Sequence, residues 1–249
     1  MNLLPNIVLV HGAWADGSSW SGVIQRLQRD GYNVVAAQLL LTSLEVDVVR
    51  VRQLVAAQAG PTLLVGHSFG GAILTQLGTD APNVVGLAFE SAFVPDQGET
   101  MKALISNGPQ PPGAAAIRPD AHGFLWLDAD GLVRYFASDV DPVQARVLSA
   151  TQRPIAASEL LGDERFGVPA WRRLPSWYLV SENDLMLPPA AQHYFAKRID
   201  ATVTSIASSH IAMVSQPDAV TSFIEAAATA FAGTSAARSD SRRHLARPR

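Results

Sequence analysis

The stretch Pro61-Thr62-Leu63-Leu64-Val65-Gly66-His67-Ser68-Phe69-Gly70-Gly71-Ala72-Ile73-Leu74 limits what this chain can fold into more than any other. Leu63 to Val65 form a short aliphatic run without polar alternation, which suits a strand buried on both faces. A helical pattern begins directly after it, so strand and helix must be joined by a very tight turn with Ser68 at its apex. Gly66 and Gly70, two positions to either side, are small enough for the strand and helix to approach. A serine in such a turn is strained, and its hydroxyl points away from the sheet.

The rest of the chain repeats this strand-then-helix unit. Ile7 to Val10 is a continuous apolar strand, and His11-Gly12-Ala13-Trp14-Ala15-Asp16-Gly17 breaks it into a loop. Ser18 or Ser19 can cap a helix to Arg29 that carries Trp20, Val23, Ile24 and Leu27 at helical spacing. Asn33 to Ala37 reads as a strand, Leu44 to Gln58 as an amphipathic helix, and Gly78 and Pro82 punctuate the helix that follows Ser68. Val84 to Phe89 is a fourth strand. This alternation predicts an α/β fold, doubly wound, with a parallel sheet and helices on both faces. Such sheets bind ligands at the carboxyl ends of their strands, where His11, Ser68 and Ser91 all fall.

Between Ser91 and Arg173 the rhythm stops. Pro and Gly are frequent, Asp141-Pro142 opens a short helix, and no strand pattern able to build a second sheet is evident. Residues 91–173 therefore read as a lid inserted after the fourth strand, and residues 1–90 and 174–233 as the core. Ser176 to Val180 and Ala201 to Ile206 resume as strands, with helices from Pro188-Pro189 and from Pro217. Residues 234–249 carry Arg238, Arg242, Arg243, Arg247 and Arg249 against Asp240, a basic tail expected to be disordered.

Composition removes several function classes. With 249 residues, 48% hydrophobic and 16% charged, the chain can bury a large core. A net charge of −3 suggests neither a nucleic-acid binder nor a membrane-surface protein. No cysteine is present, so disulfides and thiolate metal sites are excluded. No His, Asp or Glu cluster has metal-ligand spacing, and no apolar run approaches the about 18 residues of a membrane span. Met1 to Asn6 lacks a positively charged leader, and a cytoplasmic location is expected.

A serine hydroxyl needs a base within hydrogen-bond reach, and the base needs a carboxylate to fix its tautomer. His67 adjoins Ser68 but points to the other side. His122 lies in the insertion, His193 inside a helix and His244 in the tail. His210 follows the last strand at the rim of Ser68 and is the candidate base. Asp184, in the loop after the Ser176 strand, is the candidate acid; Glu182 is too close to the strand, and Asp96 is the second choice. An anionic intermediate also needs preformed N–H donors. The backbone of Phe69 supplies one, and Ala13, after the turn that Gly12 permits, supplies another. Trp14, Phe93 and Trp126 are the aromatic candidates for substrate contact.

The order Ser, Asp, His along the chain, together with Val8-Leu9-Val10-His11-Gly12-Ala13-Trp14, Gly66-His67-Ser68-Phe69-Gly70-Gly71, Ala92-Phe93-Val94-Pro95 and Ser209-His210-Ile211-Ala212-Met213, resembles the α/β-hydrolases. More narrowly, the chain is similar to the branch of small esterases and hydroxynitrile lyases. The resemblance implies a six-stranded, mostly or wholly parallel sheet and Ser68 as nucleophile. It also implies Asp184 as acid, His210 as base, Ala13 and Phe69 as oxyanion donors, and no cofactor. Lyases of that branch usually carry a threonine in the first loop and a lysine after the catalytic histidine; here those places hold Ala13 and Ile211. Hydrolysis of a small-molecule ester with an apolar group of small to medium size is therefore expected. The alternatives are a lyase or cofactor-free oxygenase of the same fold, or a receptor with slow turnover. Oligomeric state is left open.

Overall fold

The computed structural model describes residues 4–77 and 81–244, with side chains to residue 231. In chain order the first half provides β1 (Asn6–Val10), α1 (Ser21–Arg29), β2 (Val34–Ala36), α2 (Leu44–Ala56), β3 (Thr62–His67), α3 (Phe69–Gln76) and β4 (Val84–Glu90). An inserted segment follows, with α4 (Met101–Ser106), β5 (Ile117–Pro119), β6 (Phe124–Leu127) and α5 (Ala129–Gly131), then a turn of π-helix over Leu132–Phe136. It ends with α6 (Pro142–Thr151), β7 (Ile155–Ala156) and α7 (Ala157–Leu161). The chain then returns through β8 (Ser176–Ser181), α8 (Pro189–Arg198), β9 (Thr202–Ile206), α9 (Ala212–Ser215) and α10 (Pro217–His244).

Six strands form one sheet in the order β2-β1-β3-β4-β8-β9, and every neighbouring pair is parallel. The central strands read as aliphatic runs because both of their faces are covered: β3 is buried at every residue, and Ile7 to Val10 are fully buried. Helices α1 and α10 pack together on one face of the sheet, and α2 and α3 together on the other. From β1 the chain steps outward to β2, then returns past β1 to β3 and continues the other way. The strand order reverses between β1 and β3, so a crevice opens at their carboxyl ends, where loop 11–14 faces Ser68.

The rim at that end is strained in a regular way. Trp14, Leu41, Ser68 and Ser91 each have positive φ (60°, 56°, 52° and 45°), and each follows one of the first four strands. Non-glycine residues in this region cost on the order of 1–3 kcal/mol apiece and persist only where their surroundings hold them. Ser91 is held by its N–H, which donates to the Leu179 carbonyl at 3.0 Å, and by its hydroxyl, which donates to Ser181 Oγ at 2.8 Å. The next residue, Ala92, is held by the Tyr178 hydroxyl, which donates to its carbonyl at 2.6 Å and accepts its N–H at 2.8 Å.

Three expectations change. The inserted segment does contain a sheet, the antiparallel β5-β6-β7, built from strands of two to four residues that leave too short a pattern to read. The first helix begins with a 3₁₀ turn, Gly17–Trp20, capped by Asp16 and not by Ser18 or Ser19; the Asp16 carboxylate accepts the Ser18 N–H at 2.7 Å. The backbone of α10 continues through residue 234 to His244, so no break appears at the start of the basic segment. Residues 245–249, the side chains from residue 232 on, Gly78 and Met1 to Leu3 lie outside the described residues. Among the described residues, no helix is long and apolar enough to cross a membrane.

Candidate active site

Ser68 sits between β3 and α3 with φ 52° and ψ −120°, as the tight turn requires. A Cβ on Gly66 would lie 2.9 Å from the Gly70 backbone, and one on Gly70 would lie 2.5 Å from the Val10 carbonyl oxygen. These two glycines let strand, turn and helix close on each other. The Ser68 N–H donates to the Glu90 carbonyl and its own carbonyl accepts from Phe93, both at 3.1 Å, which ties the strained residue to the end of β4.

His210 and Asp184 reach Ser68 from the loops after β9 and β8. His210 Nε2 lies 2.9 Å from Ser68 Oγ, and His210 Nδ1 lies 2.6 Å from Asp184 Oδ2. All three side chains are nearly or fully buried. The Asp184 carboxylate is fully committed. Its Oδ1 accepts from the Met186 and Leu187 N–H groups at 2.7 and 2.9 Å, and its Oδ2 accepts from Gln192 Nε2 at 2.8 Å as well as from His210. Gln192 cannot turn over, because its Oε1 accepts the Ser181 N–H at 3.0 Å. The carboxylate thus fixes which His210 nitrogen carries hydrogen and leaves Nε2 free to accept from the serine.

The two expected oxyanion donors border the same cavity as Ser68 and His210. Phe69 is the first residue of α3, so its N–H has no partner within the helix. Neither it nor the Ala13 N–H donates to another group of the described residues. His11 governs the second donor. Its ring donates from Nδ1 to the Gly12 carbonyl at 2.9 Å and accepts the Leu39 N–H on Nε2 at 3.0 Å. Because the Gly12–Ala13 peptide is planar and trans, holding its carbonyl on one side turns the Ala13 N–H to the other. Burial pushes the His11 pKa down to about 4, so this ring stays neutral and keeps both roles.

His67 faces away from the Ser68 hydroxyl but does not leave the site. It donates from Nε2 to the His210 carbonyl at 2.8 Å, and the two rings lie 4.8 Å apart. Burial, and then the neighbouring His210, hold its pKa well below the usual histidine range, so no positive charge develops on it beside His210. The inserted segment touches His210 too. The Phe136 ring lies 5.2 Å from the His210 ring, and the Asp139 carboxylate accepts the Ser209 N–H at 3.0 Å and the Ser209 hydroxyl. Glu90, beneath the same loop, accepts the Met213 N–H at 2.9 Å. Its burial pushes its pKa up to about 8.

A cavity of about 310 Å³ opens over Ser68 and His210. Trp14 and Phe93 line it, together with Ile117, Leu125 and Leu160 from the inserted segment. Trp126 does not. Side chains alternate along β6, so Leu125 and Leu127 point inward while Trp126 is left exposed, with its indole N–H on Asp120 at 2.9 Å. Asp96 is engaged elsewhere, by Arg172 at 2.6 Å, and Glu182 pairs with His193. Gln192, Asp139, Phe136 and the supporting part of His67 were not found from sequence. Asp139, Phe136 and His67 act through contacts between segments far apart in the chain, Gln192 reaches Asp184 from the next helix, and none belongs to a spaced motif. Among the described residues no group of three or more His, Asp or Glu side chains is placed to hold a metal ion.

Residues 7–223 match the alpha/beta hydrolase family model. The chain belongs to the alpha/beta hydrolase family. Within the family it is 24% identical over 249 aligned residues to alpha/beta hydrolase nvfD of Aspergillus novofumigatus, covering 91% of this chain and 97% of that protein. It is 25% identical to the pyrethroid hydrolase of Sphingobium wenxiniae, over 86% of this chain and 84% of that one. Among solved structures, polyneuridine aldehyde esterase has the same fold, with a TM-score of 0.74 at 19% identity over 88% of this chain and 97% of that one. The neighbourhood is that of the esterase branch.

Proposed function

We propose that the protein is a carboxylic-ester hydrolase acting through an acyl-enzyme on Ser68. The observation that carries this reading is the hydrogen-bonded series Asp184–His210–Ser68 at 2.6 and 2.9 Å, ending beside two unclaimed backbone N–H groups. His210 takes the Ser68 proton as the hydroxyl attacks the ester carbonyl. Asp184 stabilises the imidazolium, and the Ala13 and Phe69 N–H groups receive the charge that develops on the carbonyl oxygen. His210 then returns the proton to the leaving alcohol, and a water activated by the same ring releases the acid.

The similarity to a pyrethroid hydrolase and to polyneuridine aldehyde esterase supports ester hydrolysis. The cavity supports an apolar substrate group, since no Asp, Glu, Lys or Arg lines it. Lyase chemistry is disfavoured because Ile211, which follows the base, is buried and apolar, so that position offers no cation for a cyanide leaving group. In this reading the inserted segment is a lid over the cavity, and the enzyme works in the cytoplasm. The test is hydrolysis of p-nitrophenyl butyrate. Wild-type protein turns it over, and Ser68→Ala loses on the order of 10⁶-fold in kcat. A variant that kept a tenth of the activity would remove Ser68 from the reaction.

A further inference from the structure

A second and larger cavity, about 560 Å³, abuts the one over Ser68. The two share Phe93, Ile105, Gln110, Pro111, Met186 and Leu187, so a common wall divides them. The far side of the second cavity is formed by Leu104 of α4 and by Ala191, Tyr194 and Phe195 of α8. Its rim is the loop 107–112, which Pro109, Pro111 and Pro112 stiffen and which is anchored where the Gly113 N–H donates to the Leu185 carbonyl at 2.9 Å. Tyr194 is held as part of the wall, since its hydroxyl accepts from Arg198 Nη2 at 2.8 Å and Arg198 is in turn paired with Glu99.

Neither cavity is lined by an acidic or basic side chain, apart from His210. The polar groups of the second are Asn107, Gln110 and the Tyr194 hydroxyl. An uncharged, apolar occupant is what such walls accept. The first cavity alone is at the low end of the size range for a drug-sized ligand, whereas the two together approach its upper end. The dividing wall includes Met186, whose unbranched side chain has rotamer freedom.

We propose that this second cavity is a distal subsite of the same active site. It holds the extended apolar arm of an ester whose carbonyl is at Ser68, a long aliphatic chain on the acyl or the alcohol side. The inference rests on the ester-hydrolase reading and extends it from small esters to long ones. Burying a methylene is favourable enough to raise kcat/KM by up to about fourfold for each one that enters the subsite.

The experiment compares p-nitrophenyl acyl esters from acetate to laurate, and alkyl acetates from ethyl to dodecyl, for wild type, Ala191→Trp and Leu104→Trp. Both substituted positions line the second cavity and not the first. Wild type is expected to prefer the long member of one series, and that series identifies the arm. Each variant should lose at least about tenfold in kcat/KM for that long ester and stay within about twofold of wild type on p-nitrophenyl acetate. Retained acetate turnover shows that the variant is folded. A long-ester preference that survives in both variants would overturn the subsite, as would a wild type with no such preference in either series. A binding measurement separates the two readings. Decan-1-ol should raise the Tm of wild type and not of Ala191→Trp, whatever the turnover. A wild type inactive on every ester that still shows this shift would refute the hydrolase reading while keeping the cavity as an apolar ligand site. Active protein without the shift would refute the subsite alone.

Discussion

Replacing Asp184 by Asn changes one oxygen to an NH₂ group and almost nothing in shape, yet the surroundings dictate how the amide must sit. The Met186 and Leu187 N–H groups converge on Oδ1 at 2.7 and 2.9 Å, so the new carbonyl oxygen has to face them. The NH₂ group is then directed at His210 Nδ1 and at Gln192 Nε2. Gln192 cannot turn to offer its oxygen, because that oxygen is held by Ser181 and the amide nitrogen also donates to the Leu187 carbonyl at 2.7 Å. His210 can adapt only by moving its hydrogen from Nδ1 to Nε2, which places a donor against the Ser68 hydroxyl and removes the acceptor that the attack requires. A wrong tautomer of this kind costs about 10⁴ in kcat, or about 5 kcal/mol of barrier. The assay is p-nitrophenyl butyrate turnover with burst kinetics, and both the burst rate and the steady-state rate should fall together. A loss below tenfold would mean that Asp184 does not set the His210 tautomer, and the acid would have to be sought elsewhere.

Two further perturbations test the frame around the triad. Gly70→Ala would put a methyl 2.5 Å from the Val10 carbonyl oxygen and 2.8 Å from that of His11, both backbone atoms, forcing β1 and α3 apart. The cost should be about 1–3 kcal/mol, and calorimetry should show Tm lower by roughly 2–4 °C per kcal/mol; an unchanged Tm would refute close packing at the turn. Glu159 of α7 is buried against Asp47, whose carboxylate already accepts the Leu40 and Leu41 N–H groups, and burial followed by that neighbour pushes its pKa up to about 9. The folded chain therefore keeps a proton that the unfolded chain has lost above about pH 4.5, so stability falls as pH rises from there to about 9. Glu90 acts in the same direction and remains in place. Glu159→Gln should flatten its share of the decline and give a higher Tm than wild type at pH 8 but not at pH 5; identical pH profiles would refute the pairing.

Much of this site is legible in the sequence because Ser68 and Asp184 follow apolar, buried strands, and because His210 follows the last strand of the alternation although that edge strand is exposed. β1, β3, β4 and β8 are recognisable from composition alone; Ser68 follows β3 and Asp184 follows β8, while His210 follows β9. The tight turn is likewise announced by its glycines. The inserted segment resists reading for a physical reason: its strands are two to four residues long, too short for alternation to show which face is buried. That is why Trp126 is mistaken for a pocket residue while Leu125, one position earlier, is the one that lines the cavity. Gln192 is hidden differently. A single amide in an amphipathic helix looks like a surface residue until the helix is docked, and only then does it meet Asp184 and Ser181.

The grip of Asp139 on Ser209 has a consequence for how this enzyme could change over time. Specificity in a fold of this kind is altered most simply by exchanging the insertion and leaving the sheet alone. Here Ser209, the residue before His210, is held through its N–H and its hydroxyl by the Asp139 carboxylate, and the neighbouring Phe136 ring packs on the His210 ring. A transplanted insertion would bring new pocket walls but also a new seat for His210. Substrate range and catalytic power are therefore inherited together in this chain, and a chimera should keep its rate only if the donor segment also carries a carboxylate at the Asp139 position.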